Sequence, residues 1–346
     1  MIDKSQAVIH AVSAHSIIKN DGRQELNYSE APLNIESDLL KSPLLLYFLS
    51  NFNTPEYYHF SFSGEDAASN PISTFSKQIF DNGPSFHHNS INIAKHLVAA
   101  SEHPNIKAGD VYIAHFSGVR IDGETLEAVG IFKSESKETY LKLRSNSKKF
   151  SIDVEEGVNV RKLDKGCLVL NTLEAEGYKI VIVDNANKTD AQYWKQDFLN
   201  IKPCADAFHQ THNFMNLTRL YVGDQLDEEF SVSKADKIDL LNRSVNFFKS
   251  REIFKQDEFE TEVFEDPSVI ESFRKFERSM MPDEGVADDF EISAQAVKRQ
   301  ARIFKSVLKL DKNFHIYIHG NRELIEKGFD QSRNRHFYKI YFDQET

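Results

Sequence analysis

The sequence predicts an α+β fold: a mostly antiparallel sheet with flanking helices, followed by a mainly helical C-terminal part. Three observations carry this. Short apolar runs succeed one another between residues 111 and 183, with turn material and no helix-period stretch between them. Two of these runs, Tyr140-Leu141-Lys142-Leu143 and Phe150-Ser151-Ile152-Asp153-Val154, alternate with the period of a strand. Beyond about residue 190 the apolar positions recur at threes and fours, the period of a helix. Helices before and after a block of strands, without regular strand–helix alternation, make an α+β pattern.

The elements follow in order. Val8-Ile9-His10-Ala11-Val12 reads as a strand. Ser42-Pro43 ahead of Leu44, Leu45, Leu46, Phe48 and Leu49 reads as a helix start. Serine can cap there, and proline tolerates the first helical position because its missing N–H would have had no partner. A second helix is expected over 90–100. Val111-Tyr112-Ile113-Ala114-His115-Phe116 and the run 126–133 form a strand pair around the turn material of 118–123. Further strands are expected at 140–144, 150–154, 167–171 and 179–183. A helix follows over 204–221. Ser233 caps the next, with Ile238, Leu241, Val245 and Phe248 on one face. Asp266-Pro267 opens another through Val269, Phe273 and Phe276, and Met281-Pro282-Asp283-Glu284-Gly285 reads as a loop. Strands at 314–318 and 336–342 close the chain as a hairpin. A boundary near Asp224 would divide an α+β domain, 1–223, from a mainly helical domain, 224–346, that holds a basic helix and the closing hairpin.

The 346 residues suffice for two domains. A chain that is 40% hydrophobic and 12% aromatic can bury a real core, and its 27 Phe should sit mostly inside. Cys167 and Cys204 give neither a disulfide framework nor a zinc spacing and are expected as free thiols. Met1-Ile2-Asp3-Lys4-Ser5 shows no secretory signal, and the longest apolar runs, such as 44–49, fall far short of the ~20 residues that span a bilayer. A cytoplasmic protein without a membrane partner is expected.

The formal net charge of -11 opposes nucleic-acid binding when taken whole. The total hides an asymmetry. Residues 298–346 hold 11 basic and 6 acidic side chains, whereas 224–291 holds 20 acidic and 9 basic. A basic end on an acidic body suggests a polyanionic partner. The stretch 293–310 contains Lys298, Arg299, Arg302, Lys305 and Lys309 and no acid. On one helix, Lys298, Arg302, Lys305 and Lys309 would form a basic stripe, with Val297, Ala301, Phe304 and Leu308 as the apolar stripe beside it. Such a row could neutralise successive DNA phosphates. Arg333, Arg335 and Lys339 extend it if the closing hairpin packs alongside. The same pattern also describes a merely solvated helix face, or one that answers the acidic 224–291 segment. A smaller basic cluster, Arg144, Lys148 and Lys149, sits at a strand turn.

Catalytic signatures were sought. His209 and His212 share a helical face, but no acid completes a metal-ligand set. His87-His88 is the other close pair. There is no phosphate-binding glycine loop and no Gly-x-Ser-x-Gly elbow. Asp153, Glu155 and Glu156 could hold Mg²⁺ in a nuclease, but no matching Lys pattern follows, and a surface strand end accounts for them better. No cofactor is expected.

The chain resembles the 37-kDa nucleoid-associated protein family of bacteria. The likeness is carried by Ala7-Val8-Ile9-His10-Ala11-Val12 followed by Ile17-Ile18-Lys19, and by the pair 111–116 with Leu126-Glu127-Ala128-Val129-Gly130-Ile131-Phe132. Phe150-Ser151-Ile152-Asp153 leading to Val158-Asn159-Val160 and Lys162-Leu163-Asp164, and then the stretch 198–220, continue it. The resemblance implies association with DNA in the nucleoid and no catalytic residues. It supplies no residue-level DNA site, so Lys298, Arg299, Arg302, Lys305, Lys309, Arg333, Arg335 and Lys339 rest on charge patterning alone. The expectation is therefore a cytoplasmic, nucleoid-located, non-enzymatic homodimer. It would bind double-stranded DNA through phosphates, possess a doubled basic surface, and meet other nucleoid proteins. The alternatives are an adaptor that touches no DNA and, third, a metal-dependent nuclease.

Overall fold

A computed structural model describes residues 3–53, 56–63, 69–101, 103–121, 123–146, 149–185, 193–280, 289–304, 307–318 and 324–344. Two compact units, Met1–Cys204 and Ala205–Thr346, divide ahead of the expected boundary. Asp224 itself lies inside a helical run that extends from Ala207 to Glu229 through a π turn.

The first unit is built on strands β1 (Val8–Asn20), β2 (Arg23–Tyr28), β3 (Tyr57–Phe60), β4 (Gly109–Ile121), β5 (Glu124–Ser134), β8 (Lys165–Leu170), β9 (Lys179–Asp184) and β10 (Ile201–Pro203). They form one sheet in the order β10-β3-β9-β8-β5-β4-β1-β2, antiparallel throughout. The α+β class with a helical C-terminal part is thus as expected. Helices α1 (Asp38–Leu49), α2 (Pro71–Asp81) and α3 (Phe86–Ala99) cover the sheet. Every residue of β8 is buried, because both faces are covered. Cys167 and Val169 pack with Ile72 and Ile79 of α2 and Ile93 of α3. Leu168 and Leu170 pack with Phe48 of α1 and with Phe52. A two-sided core explains why this strand reads as a continuous apolar run rather than an alternating one. Between Phe116 and Val119 the register of β4 slips, and Gly118 adopts φ +71° there. A Cβ would stand 2.2 Å from the Gln6 carbonyl oxygen, so only glycine fits.

Strands β6 (Glu138–Asn146) and β7 (Lys149–Gly157) pair only with each other, as a separate ribbon. They confirm the alternating runs at 140–144 and 150–154, but the ribbon does not join the main sheet.

Two helix boundaries differ from expectation. α1 begins at Asp38, so Pro43 lies inside it rather than at its start. α2 was unexpected, and its cap is strong. The Asn70 side-chain oxygen accepts from the N–H of Ile72 at 3.0 Å and of Ser73 at 3.2 Å, while its amide donates to the Leu199 carbonyl at 3.0 Å. Pro71 fills the first helical position.

The second unit contains α4 (Ala207–Leu220), α5 (Leu226–Glu229), α6 (Lys234–Ser250), β11 (Ile253–Lys255), α7 (Gln256–Phe259), α8 (Pro267–Met280), β12 (Asp289–Glu291), α9 (Ala294–Ala301) and two hairpins. Ser233 caps α6 as expected, reciprocally with Asp236. The core is a cluster of phenylalanines. Phe214 of α4 lies 4.3 Å from Phe254 of β11 and 5.0 Å from Phe259 of α7, centroid to centroid. Phe254 stacks between Phe248 of α6 and Phe290 of β12. The hairpins are β13 (Val307–Leu310) with β14 (Phe314–Tyr317), and β15 (Ile325–Asp330) with β16 (Arg335–Ile340). The two strands expected near the end are present, but each pairs with a partner the sequence reading had not marked. The loop expected at 281–285 lies outside the described residues.

Two outcomes are expected. Replacing Asn70 by Ala removes a cap and strands a buried carbonyl; urea unfolding should show a loss of about 2 kcal/mol, and a change below about 0.5 kcal/mol would contradict the cap's role. The second concerns His15, buried against α3. Its Nδ1 accepts from the Ser29 N–H at 3.3 Å. Its Nε2 lies 3.0 Å from the Ser90 hydroxyl, which itself donates to the His87 carbonyl. Ser90 must therefore accept from Nε2–H, and the neutral ring is fully satisfied. Burial, with the nearby His87, lowers its pKa to about 4. An unfolded histidine titrates near 6.5, so between about pH 6.5 and 4 the unfolded chain holds the extra proton. Melting temperature should fall across that window as pH drops, and His15→Gln should flatten the slope. His96 and His115, also held low by burial, act in the same direction and leave a residual slope. An unaltered slope in the variant would exclude His15 as a source.

Candidate nucleic-acid interface

The expected helix over 293–310 is not formed. Ser293 caps α9, accepting from the Ala296 N–H, but the helix ends at Ala301 with Arg302 as its C-cap. Val307-Leu308-Lys309-Leu310 is instead strand β13, turned back by Asp311 at φ +51° to pair with β14. The single stripe of Lys298, Arg302, Lys305 and Lys309 is thereby broken. Lys298 and Arg299 lie on α9, Arg302 at its end and Lys309 on β13. Lys305, like Lys148 of the smaller cluster, lies outside the described residues.

The closing hairpin is set apart from α9. Leu308, Ile318, Ile325 and Tyr338 pack with Ala235 and Ile238, near the start of α6. The α9 cations lie by the residues around Phe248, at the other end of α6 and about 15 Å further along the helix. The hairpin's cations are also partly answered. Arg333 stands 3.8 Å from Asp330, and Lys339 stands 3.7 Å from Glu326 and over the Tyr341 ring. Arg335 faces Asp330 across the ladder.

What folding does bring together is the end of α6 and the end of α9. They flank a groove of about 510 Å³. Its floor is apolar, with Phe248, Ile292, Val297 and Ala301, and its rim carries Lys249, Arg251, Lys298 and Arg302 against one carboxylate, Glu252. Lys298 and Arg302, four residues apart, share one side of α9. Val297, 3% exposed, anchors that helix to the aromatic core. Cations near helix C-termini also suit the negative end of the helix dipole. Lys249 was missed by the sequence reading. It is an exposed lysine in the last turn of α6, two residues before Arg251, and the packing of α6 on α9 adds Lys298 and Arg302 to its surroundings.

The acidic stretch does not neutralise this rim. Among the described residues, eight of its carboxylates form ion pairs with bases of their own segment. Arg274 meets the buried Glu260 through Nε at 3.0 Å to both oxygens, and Asp257 at 2.9 Å. Arg243 meets Asp239 and Glu265, and Lys237 meets Asp227. Arg251 is engaged with Glu262 and Glu258 while stacking on Phe247. Among the described residues no carboxylate lies within ion-pair distance of Lys249, Lys298 or Arg302. Arg299, exposed beside Lys298, already has a partner.

The residues considered for catalysis are held in other ways. Asp153 and Glu155 are ion-paired to Arg144 and Lys142, and the strand alternation puts Glu156 on the opposite face of the ribbon. His209 pairs with Asp206 at 3.1 Å, and the His212 ring receives Gln300 at 3.0 Å. His87 contacts the Ser13 hydroxyl at 2.8 Å. Among the described residues, no group of three or more His, Cys, Asp or Glu side chains is placed to hold a metal ion. Nor is any described helix long and apolar enough to cross a membrane.

Comparison with curated proteins gave no match. A family model does match, over residues 13–338, and its description is nucleoid-associated protein YejK. That span begins within β1 and ends within β16, taking in the sheet, the phenylalanine core and the α6–α9 groove. On this ground the chain belongs to the YejK family of nucleoid-associated proteins.

Proposed function

We propose that the protein serves the nucleoid by contacting double-stranded DNA directly, through phosphates, at the groove between α6 and α9. One observation supports the reading: Lys249, Lys298 and Arg302 converge there and, among the described residues, have no carboxylate within ion-pair distance, while eight carboxylates of the acidic stretch are engaged by bases of their own segment. Unpaired cations that can release DNA counterions supply sequence-independent affinity. Phosphate contact positions a protein without reading bases, so little sequence preference is expected. Lys309, Arg333 and Arg335 add diffuse positive potential at longer range, with Arg299, Lys305 and Lys339 as lesser contributors. The role is non-enzymatic, in the bacterial cytoplasm at the nucleoid. The protein acts as a homodimer, so that two grooves raise avidity without any new contact.

A second reading draws on the groove's apolar floor. Phe248, Ile292 and Val297 contribute nothing to phosphate recognition, but they suit an acidic, partly apolar segment of another nucleoid protein. In that case the chain is an adaptor and touches no DNA.

Charge reversal separates the two. With Lys249→Glu, Lys298→Glu and Arg302→Glu combined, retention of duplex DNA in a low-salt gel should fall by at least tenfold, while unfolding remains cooperative. The same reversal at the hairpin, Arg333→Glu with Arg335→Glu, should cost only a few-fold. Equal losses from both would remove the groove as the principal site. An unaltered chain that retains no duplex at low salt would favour the adaptor.

A further inference from the structure

The β6–β7 ribbon presents an apolar face that, among the described residues, nothing covers. Cross-strand register puts Leu141 opposite Val154, Leu143 opposite Ile152 and Ser145 opposite Phe150, all on one side. The five apolar side chains are 63–73% exposed, and none belongs to either hydrophobic cluster of the first unit. The other side carries Tyr140, Lys142 and Arg144 against Glu155, Asp153 and Ser151. Its charges satisfy one another: Lys142 reaches Glu155 at 3.1 Å, and Arg144 bridges Asp153 and Glu155. At the base, Asn159 donates to Glu138 at 3.0 Å, and the Tyr140 ring lies against Gly157.

A two-stranded ribbon of this kind is marginal in water unless its apolar face is packed. We propose that this face is the interface between two copies of the chain, laid face to face. Two features select a second copy over another occupant. Between Leu141 and Phe150 the face carries no charge, with Glu156 only at its base beside Thr139, and on the other side Lys142 and Arg144 are answered by Asp153 and Glu155, so an equally uncharged apolar face suits it best. The area also suffices. Five such side chains hide about 100 Å² each, giving about 1,000 Å² for the pair, the threshold for a specific interface.

The interface deepens the two-copy element of the proposed function, and it can fail independently of the groove. Sedimentation equilibrium of the full chain without DNA should give twice 39.8 kDa. Leu143→Glu with Ile152→Glu should return it to 39.8 kDa, while Lys142→Gln on the charged side leaves the dimer intact. Should the double variant fold poorly, Ile152→Cys in a Cys204→Ser background gives an independent test. Stacked sheets lie about 10 Å apart, so a bis-maleimide of that reach should link two chains at high yield. A chain at 39.8 kDa throughout, including one retained by vesicles or by another protein through the same face, would overturn the proposal. So would a dimer that survives the double substitution, or an absence of cross-link. A monomer that still retains DNA would remove the ribbon interface and leave the groove standing.

Discussion

The contact on which the candidate site depends is the stack of Phe248 on Phe254, ring centroids 5.4 Å apart and planes within 4°. Phe254 continues the stack to Phe290 and meets Phe214 at a tilt of 54°, so α4, α6, β11 and β12 are locked to one set of rings. Phe248 belongs both to this core and to the floor of the groove, and so does Val297 of α9. Each buried aromatic hides roughly 150–250 Å², and truncating one in such a core costs about 3–5 kcal/mol. The rim cations therefore stand on a floor that cannot shift without loosening the whole unit.

The proposed contact of this acidic protein with an acidic polymer is less paradoxical than its net charge suggests. Exposed charges interact weakly beyond about 8 Å at physiological ionic strength, so a phosphate meets the local arrangement and not the total. Among the described residues, eight of the carboxylates of 224–291 are engaged by Arg243, Arg251, Arg274 and neighbouring lysines, while the stretch as a whole stays acidic. Glu260 is the extreme case, 1% exposed and held by Arg274. With these acids engaged elsewhere, Lys249, Lys298 and Arg302, which among the described residues have no carboxylate within ion-pair distance, would make the meeting of the two helix ends locally positive. The remaining negative surface would limit how closely DNA wraps the protein.

Much of this fold was legible in the sequence. The strands from β4 to β9 could be read because strand-length apolar runs were separated by turn residues, and Ser233 announced α6 by its capping pattern. The cap of α2, Asn70-Pro71, was equally visible but its helix carries Ser73, Thr74 and Ser76, which dilute the apolar period. The segment 293–310 misled for a physical reason. Val297, Ala301, Phe304 and Leu308 satisfy a helical spacing, yet Val307 to Leu310 also satisfies a strand, and the Asp311-Lys312-Asn313 turn decides for the hairpin. The candidate site was half visible: Lys298 and Arg302 stood out by local charge. Lys249 could not, because it lies 49 residues before Lys298 in sequence and joins it only through tertiary packing.

The most direct test of this account is the salt dependence of DNA affinity. For direct contact by three unpaired cations, log K against log salt should fall with a slope of about −3 or steeper. The Lys249, Lys298 and Arg302 reversal should bring that slope close to zero. A slope near zero in the unaltered protein, or a steep slope that survives the reversal, would contradict the assignment of this groove to phosphate contact.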